Sequence, residues 1–369
     1  MTLRVGKLVY GIIKLLPCLL AVLLASSCSS DVNSDEQKGN KTLVTLTIAA
    51  SGNAATASRL VSGNSSTITR ADVSDPSNKD YYISDLTILI FDESGVVIGS
   101  TTKLARDLSS TQDGKIKIPV LTRAAQNCTV YAIANALALN GGNTPFAGIA
   151  TLSALKSMVK SYTNADDINN ESCLLMMGKT VDKSFDTTNS GSAAAISLQR
   201  LASRIDFNFT VNNDKTTGFP IVVDSYQLCH APRSAFYAPA DMSAITLPQG
   251  AEYVDYTLQN TKANPYTAYV YANPATTAQD ATYLLIKAHS QASPTDTRKI
   301  WQSDFKVYLN GITGLADYKL LPNYHYSVNI TVQGSSQAQN GVIASYTAYP
   351  YMAGGSIASW TPEKIPTDM

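Results

Sequence analysis

A single cysteine near the start of the chain, Cys28, has the strongest chemical signature in the sequence. A basic segment precedes an apolar run over residues 15–25, and two serines then lead into Cys28. This arrangement is typical of a secretory signal peptide with a lipoprotein cleavage box. We therefore predict that residues 1–27 are removed and that the Cys28 thiol is acylated, which anchors the protein in a membrane. The alternative is ordinary cleavage near Ser27 with an unmodified cysteine.

Other side chains that could carry out chemistry are few and poorly placed for it. The chain has three histidines, His230, His289 and His325. His230 follows Cys229, but neighbours on a strand point to opposite faces, so the two do not form a nucleophile–base pair. His289 is expected in a loop without a partner, and His325 alternates with tyrosines along a strand. Because no phosphate loop, zinc-protease helix or nucleophile elbow occurs, the sequence predicts no enzyme.

One stretch rich in carboxylates and amides could gather a cation. Its oxygen-bearing residues are Asp166, Asp167, Asn169, Asn170 and Glu171. Calcium prefers hard oxygen ligands of this kind. Such clusters are more often solvated loops, so we predict neither a metal site nor a cofactor.

Composition narrows the class of protein and its partners. The chain has 369 residues and a formal net charge of zero, with 15% charged residues. A neutral surface gives no electrostatic basis for binding nucleic acid. Beyond Cys28 the chain keeps Cys128, Cys173 and Cys229, and three widely spaced thiols do not make a disulfide framework. The length favours two domains, each with its own core.

The first part of the body begins with one isolated strand. Residues 28–40 are polar and without periodicity, as in a flexible tether. In the strand that follows, over residues 42–50, Val44, Leu46 and Ile48 share one face. The stretch over residues 51–79 consists mostly of small polar residues, so we expect it to be exposed and open to proteases.

Further strands and one helix follow in the first half. The helix is predicted to begin after Thr151 as N-cap, because apolar residues recur at helical spacing: Leu152, Leu155, Met158 or Val159, and Tyr162. The alternative is a loop with a single turn. A tight turn, Asp-Glu-Ser-Gly, joins the first two of these predicted strands: residues 82–91, 96–100, 115–120, 128–134 and 194–198.

The second half is rich in tyrosine and in strand patterns, and we place the domain boundary near Leu201. The predicted strands cover residues 199–211, 218–228, 267–271, 282–288, 305–309 and 324–332. Clusters of strands with little helix favour antiparallel sandwiches over a wound parallel sheet. The predicted fold class is therefore all-β, with one sandwich over residues 41–200 and a second over residues 201–369.

Several short segments, taken in order, resemble a known family. They are an Arg-Ala bond in the long loop, "LTILIFDESG", "CTVYAIANA", "MMGK" and "LQRLASRIDFNFTV". With the lipoprotein cysteine, their order and spacing resemble the fimbrillins of the Bacteroidales, the fimbrial subunits of FimA and Mfa type. The resemblance implies two transthyretin-like β-sandwich domains in tandem. It also implies a precursor anchored to the outer membrane by lipid and a structural role in cell-surface fimbriae that serve adhesion.

The resemblance further implies maturation by a trypsin-like, arginine-specific protease. Arg70, which is followed by Ala71, is the expected cleavage site; Arg59, followed by Leu60, is the alternative. Two loop arginines that are never cut remain a third interpretation. Cleavage would release residues 28–70, including the first strand and its lipid. A sandwich that loses a strand exposes an apolar groove flanked by unpaired backbone N–H and C=O groups. An incoming strand can fill this groove.

The incoming strand is expected to come from the C-terminal tail of another subunit. The expected partners are therefore other fimbrial subunits, including further copies of this chain. Within residues 341–360, Val342, Ala344, Tyr346 and Ala348 lie on one side of a β-prone segment. Pro350 and the many alanines depart from an ideal donor, so an ordinary edge strand is the alternative. This choice decides between a shaft subunit and a tip or accessory subunit.

Two other classes of function stay open. The first is an outer-membrane surface lipoprotein that binds glycans, for which an exposed cluster of aromatic side chains is the expected sign. Tyr253, Tyr256, Tyr266 and Tyr269 could form one. The second is a secreted hydrolase, against which the missing catalytic residues argue. For a fimbrial subunit, surface ligands of a host or of other bacteria are the expected adhesion partners.

Overall fold

The computed structural model describes residues 41–49, 73–110, 115–164, 166–186, 195–213, 220–260, 264–309, 318–334 and 341–350. They lie in one compact unit, Asn40–Met369. Strands dominate this part of the chain, which confirms the all-β prediction. None of its helices is both long and apolar enough to cross a bilayer.

Strands before residue 201 form one long, folded sheet. The sheet has nine strands: eight follow the order β10-β8-β6-β2-β3-β5-β1-β9, and the ninth, β4, pairs with β5. A short strand, β7, lies outside this sheet. Their bounds are β1 Lys41–Ala49, β2 Asp85–Phe91, β3 Val97–Leu104, β4 Ser109–Ser110, β5 Lys115–Arg123, β6 Ala125–Ala134, β7 Val159–Ser161, β8 Met176–Phe185, β9 Ala195–Ser197 and β10 Gln199–Arg200.

The long sheet folds back on itself between β3 and β5. One residue pair, Gly99 with Thr122, joins these two strands. A Cβ atom at Gly99 would lie 2.7 Å from the Cβ of Thr122, so the close approach requires glycine. The fold-back places β2, β6 and β8 opposite β5, β1 and β9, and apolar side chains from both layers share one core. The result is a β-sandwich.

Strands after residue 201 form a second pair of sheets. The sheet β16-β11-β19-β20 packs with the sheet β12-β17-β18 through a common apolar core. Two short pairs, β13 with β15 and β14 with β7, accompany them. The bounds are β11 Ala202–Asn213, β12 Ile221–Cys229, β13 Ala231–Pro232, β14 Ser234–Phe236, β15 Tyr253–Val254, β16 Tyr266–Tyr271, β17 Tyr283–Gln291, β18 Lys299–Tyr308, β19 Tyr324–Gly334 and β20 Gly341–Pro350.

The two halves share apolar contacts through β2 and its neighbours. Leu86, Ile88 and Ile90 of β2 face the first core. Leu89 and Phe91, on the opposite face, belong to the larger core that also holds the second half. Every residue of β2 is therefore buried. The predicted domain boundary near Leu201 falls between β10 and β11 and stays a prediction.

The predicted helix exists but is shorter than expected. Helix α1 covers Leu152–Ser157, and the Thr151 hydroxyl accepts a hydrogen bond from the Ala154 N–H at 3.2 Å, which confirms the N-cap. The chain does not stay helical to Tyr162, because residues 159–161 form β7 and pair with β14. A second helix, α2, covers Asp167–Asn170 and was not predicted.

Two strand pairings differ from a purely antiparallel arrangement. β1 runs parallel to β9, and β11 runs parallel to β19. Alternation along a strand indicates which side chains share a face, but it carries no information on the direction of the neighbouring strand. The MMGK segment, which was not assigned to a strand, begins β8.

Candidate functional site

The first strand, β1, lies between two neighbours in the first sandwich. Along its whole length it pairs antiparallel with β5, from Lys41 opposite Arg123 to Ala49 opposite Lys115. Its C-terminal end also pairs in parallel with β9, and the Leu198 N–H donates to the Ala49 carbonyl oxygen at 2.9 Å. β1 therefore has ladder hydrogen bonds on both edges.

One face of β1 is completely buried. Val44, Leu46 and Ile48 have no exposed surface, and Thr42 is 5% exposed. The Thr42 hydroxyl donates to the carbonyl oxygen of Asp186 at 3.1 Å. Full burial of an aliphatic side chain contributes about 1.5–3 kcal/mol, so the three apolar residues together contribute roughly 5–9 kcal/mol.

The groove that holds β1 is lined by residues that the sequence analysis did not assign to a site. Ile116, Ile118 and Val120 of β5 and Ile196 of β9 are buried in the same core as the apolar face of β1, on the two strands that pair with it. The alternation in "KIKIPVLTR" was a usable signal for the β5 residues, but it does not say which strand lies beside them. Without β1, this apolar lining would contact water.

A glycine lets β9 approach the opposite layer. A Cβ atom at Gly178 of β8 would lie 2.3 Å from the carbonyl oxygen of Ser197 and 2.7 Å from the Ile196 Cγ2 atom. These distances exclude any larger residue without a shift of the backbone. Gly178 therefore allows β9 to lie over β8 and to form one wall of the groove.

Several predicted site residues lie outside the described part of the chain. They are the acylated Cys28 with the tether over residues 28–40, and the cleavage positions Arg59, Leu60, Arg70 and Ala71. The chain that joins β1 to Val73, residues 50–72, contains both arginines. The acylation and cleavage assignments remain predictions.

The proposed donor segment is described over its first half. β20, Gly341–Pro350, pairs antiparallel with β19 from Tyr324 opposite Pro350 to Gln333 opposite Gly341. It is the last strand of the sheet β16-β11-β19-β20. Residues 351–360 of the segment lie outside the described residues. Within the described strands, β20 is thus an edge strand of the second half.

The three histidines contact nearby side chains, and the prediction that His289 lies in a loop without a partner is wrong. His289 is not in a loop: it lies on β17, and its Nδ1 is 2.8 Å from both carboxylate oxygens of Asp224. The His325 Nε2 is 2.7 Å from Asp206 Oδ2. The ring of His230 stacks on Tyr253 with centroids 4.0 Å apart.

The three described cysteines are buried free thiols. Burial raises the pKa of Cys128 and of Cys229 to about 11, and that of Cys173 to about 12. A thiol is a nucleophile only as the thiolate. These side chains therefore act as small buried apolar groups, Cys128 in the first core and Cys173 in the larger one.

The carboxylate and amide cluster uses its oxygens within the protein. Asp166 Oδ2 accepts a hydrogen bond from the Thr257 N–H at 2.8 Å, and Asp167 Oδ2 accepts one from the Asn164 N–H at 2.9 Å. Asn169 Oδ1 accepts the Tyr269 N–H at 2.7 Å. Among the described residues, no group of three or more histidine, cysteine, aspartate or glutamate side chains could hold a metal ion.

The four tyrosines considered for glycan binding do not form an exposed cluster. Tyr256 and Tyr266 are 3% and 8% exposed. The Tyr256 hydroxyl donates to the Tyr269 carbonyl oxygen at 2.6 Å, and the Tyr269 hydroxyl donates to Asp80 at 2.8 Å. Tyr253 lies against His230. These side chains contribute to packing and hydrogen bonding within the second half and between it and Asp80.

A polar network that no local sequence pattern indicates holds the chain just after the long loop. Asp80 accepts hydrogen bonds from the Arg204 guanidinium at 3.0 Å and from the Tyr269 hydroxyl. The Lys79 ammonium donates to the Asn169 carbonyl oxygen at 3.0 Å and lies over the Tyr269 ring, and burial lowers its pKa to about 8. The segment that follows the loop is therefore fastened to the second half.

Known proteins share this fold at low sequence identity. A candidate cell adhesion protein of Parabacteroides distasonis is 16% identical, with a TM-score of 0.59, and covers 87% of this chain and 99% of its own. A fimbrilin (FimA) of Porphyromonas gingivalis is 16% identical, with a TM-score of 0.55, and covers 84% and 98%. The tip fimbrial protein Mfa3 of Porphyromonas gingivalis, with C-terminal truncation, is 12% identical, with a TM-score of 0.50, and covers 84% and 99%. No curated protein matches the chain by sequence.

A family model also matches the sequence itself. The family is described as the major fimbrial subunit protein (FimA), and the match covers residues 44–223. The match starts inside β1 and ends in β12, so it includes the first sandwich except for the first three residues of β1, and it reaches the start of the second half. The resemblance to the Bacteroidales fimbrillins is therefore confirmed: residues 44–223 match the model of the FimA fimbrial subunit family, and the solved structures named above share the fold.

Proposed function

We propose that this chain is a structural subunit of a cell-surface fimbria that serves adhesion. It is exported as a precursor acylated at Cys28 and anchored to the outer membrane. An arginine-specific protease then cuts it, and the subunits polymerise by donor-strand exchange. The family match over residues 44–223 supports the fimbrial role. The family is a structural one, which agrees with a protein that is not an enzyme.

The environment of β1 is the observation that carries the proposal. β1 has a fully buried apolar face and a ladder on both edges, yet only residues 50–72 join it to the rest of the body. If that connection is cut, β1 is held by non-covalent contacts alone. A strand from another subunit that offers the same backbone groups and similar apolar side chains can then replace it.

The body keeps its own support after such a cut. Val73 and Ile83, which follow the loop, are buried in the first core. The Asp80 side chain is held by Arg204 and Tyr269. Cleavage after Arg70, or after Arg59, would therefore leave the next segment anchored, so the groove would open without unravelling the body.

The tail of a neighbouring subunit is the proposed donor, within residues 341–360. The position of β20 supports this role, because an edge strand leaves its sheet by losing one ladder only. Other fimbrial subunits are thus the expected partners, and surface ligands of a host or of other bacteria are the expected adhesion targets.

Cleavage and polymer growth can be tested together. Arg70→Ala precursor, treated with trypsin, should stay folded and should form no ladder of polymers on a gel run without boiling. The unchanged chain should form one. Arg106→Ala is the matched control, because Arg106 is an arginine with 78% of its side chain exposed in the body, and it should polymerise normally.

The result also decides between the two arginines. If Arg70→Ala chains still polymerise, the Arg59→Ala, Arg70→Ala double variant becomes the test. Polymers from the double variant would show that proteolytic strand exchange is the wrong mechanism. Deleting residues 341–369 should give a subunit that accepts a donor strand but supplies none.

A further inference from the structure

The outward face of β1 and β5 combines basic and apolar side chains. We call it the outer β1–β5 face. Residues opposite each other in the strand register form five pairs across it: Lys41–Arg123, Leu43–Leu121, Thr45–Pro119, Thr47–Lys117 and Ala49–Lys115. All ten side chains point away from the buried groove, because alternate residues of the two strands are the buried ones.

Charge is unevenly distributed on this face. The chain as a whole has 28 basic and 28 acidic residues. β1 and β5 contain four basic residues and no acidic one. Arg123 reaches Asp92 of the β2–β3 turn at 2.9 Å. The exposed Lys41 and Lys117 lie towards opposite ends of the face, so its positive charge is spread along the strands.

The apolar part of the face is a pair of leucines. Leu43 is 56% exposed and Leu121 is 54% exposed, and they lie directly opposite each other. They are the most exposed large hydrophobic side chains among the described residues. Leucines that project from a face with basic side chains match the interface of a bilayer, where apolar groups insert and basic groups meet lipid phosphates.

We propose that the outer β1–β5 face lies on the membrane surface in the precursor and binds anionic lipid headgroups. The inference rests on the proposed acylation of Cys28. Twelve residues, 29–40, separate that cysteine from β1, and even fully extended they span roughly 40 Å. The end of β1 that bears Lys41 and Leu43 is therefore the part of the body that the shortest stretch of chain joins to the lipid anchor.

Cleavage of the precursor would also remove the membrane contact. Cleavage after Arg70 and withdrawal of β1 remove Lys41, Leu43 and the lipid in one step. Only the β5 half of the face, with Leu121 and Lys117, stays on the body. The membrane contact is thus lost together with the anchor, which frees the subunit to join a polymer.

Vesicle binding tests the proposal without the lipid anchor. The chain from Ser29 to Met369, which retains the compact unit Asn40–Met369, is mixed with vesicles of phosphatidylglycerol or of phosphatidylcholine. It should sediment with phosphatidylglycerol vesicles only, and less so as salt is raised. Each basic side chain near an anionic surface strengthens binding about fivefold, so Lys41→Gln, Lys117→Gln should weaken binding about twenty-five-fold.

Two further variants complete the design. Leu43→Thr, Leu121→Thr should also weaken binding, since it removes the inserting groups but no charge. Lys156→Gln, Lys287→Gln is the matched control, because it removes two exposed lysines from other surfaces and should bind like the parent. Circular dichroism and thermal unfolding establish that each variant is folded.

Several results would overturn the proposal. They are equal binding to both lipids, no binding at all, or an unchanged affinity of the Lys41→Gln, Lys117→Gln chain. A dimer in sedimentation that the leucine variant dissolves would instead assign the face to a second copy of the chain. Acylation is tested separately with labelled fatty acid, which the Cys28→Ser precursor should not incorporate. A failure of the acylation proposal is therefore distinguishable from a failure of the vesicle-binding proposal.

Discussion

Leu43 and Leu46 lie on the same strand and have opposite environments. Leu46 is fully buried against the groove, whereas Leu43 is 56% exposed. Leu46→Ala should lower the free energy of unfolding by about 2–5 kcal/mol, because it removes buried methyl groups and leaves a cavity. Leu43→Ala, the matched control, should change it by no more than about 0.5 kcal/mol. Urea unfolding of the uncut chain measures both, and equal effects would contradict the burial of this face.

Asp206 makes folding stability depend on pH. Burial alone would raise its pKa, but hydrogen bonds from Thr267, Arg204 and His325 outweigh that effect and hold the pKa below its usual value. A carboxyl group with a lowered pKa in the folded state stabilises the fold above its unfolded pKa of about 3.9. This contribution is lost as the pH falls through the folded-state pKa.

Asp206→Asn should therefore weaken the pH dependence of stability on the acidic side. Urea midpoints between about pH 6 and pH 3 should fall less steeply for this variant than for the parent chain. Asp304→Asn is the control, since Asp304 is exposed on β18. If both variants keep the parent's slope, the network around Asp206 does not contribute to acid unfolding.

At the scale of elements, Gly178 sets the position of β9. A Cβ atom there would meet the Ser197 backbone at 2.3 Å, so Gly178→Ala should push β9 away from β8 and loosen its pairing with β1. Overpacking of this kind costs about 1–3 kcal/mol. Ser184→Ala, at an exposed position of the same strand, should have little effect. Hydrogen exchange at the Leu198 N–H, which bonds the end of β1, measures the local loosening.

Strand positions could be predicted from the sequence because alternation is a local property. Val44, Leu46 and Ile48 alternate with polar residues and do share a buried face. The neighbours of that face could not be predicted, since β9 lies far along the chain and runs parallel to β1. His289 shows the same limit: its partner, Asp224, lies on another strand and nothing near it in sequence indicates the pair.

The end of helix α1 was mispredicted for a related reason. Met158 and Tyr162 continue the helical spacing, yet residues 159–161 extend and pair with β14. A contact with the second half decides this conformation, and the local pattern does not contain it. The start of the helix could be predicted, because an N-cap acts within one turn of the chain. The Thr151 hydroxyl accepts the expected hydrogen bond.

At the scale of the whole molecule, the proposed strand exchange requires β2 to stay in place when β1 leaves. All seven residues of β2 are buried, with one face in the first core and the other in the core that the second half shares. The residues of β2 that share the first core with β1 are thus supported from behind by packing that does not involve β1. The proposed exchange of β1 requires such an arrangement, because the rest of the molecule has to keep its shape when one strand leaves.

A free peptide can test whether the groove stays intact when β1 is absent. A chain lacking residues 1–72 should bind a synthetic peptide of β1, KTLVTLTIA, because the groove walls of β5 and β9 remain. In the uncut chain residues 50–72 hold β1 at an effective concentration on the order of millimolar, whereas the peptide must compete at its own concentration. Excess peptide should therefore block growth of polymers in a dose-dependent manner, and ladder intensity on unboiled gels measures it.

The matched control for this experiment changes one buried position of the peptide. With aspartate in place of Leu46, the peptide would bring an unpaired carboxylate into the apolar groove, where Ile118 lies opposite in the register. Burial of such a charge costs several kcal/mol, so the altered peptide should not inhibit polymer growth. Threonine in place of the exposed Leu43 should preserve inhibition. If both altered peptides inhibit equally, the alternating side chains of β1 do not determine occupancy of the groove, and backbone pairing alone would have to account for strand exchange.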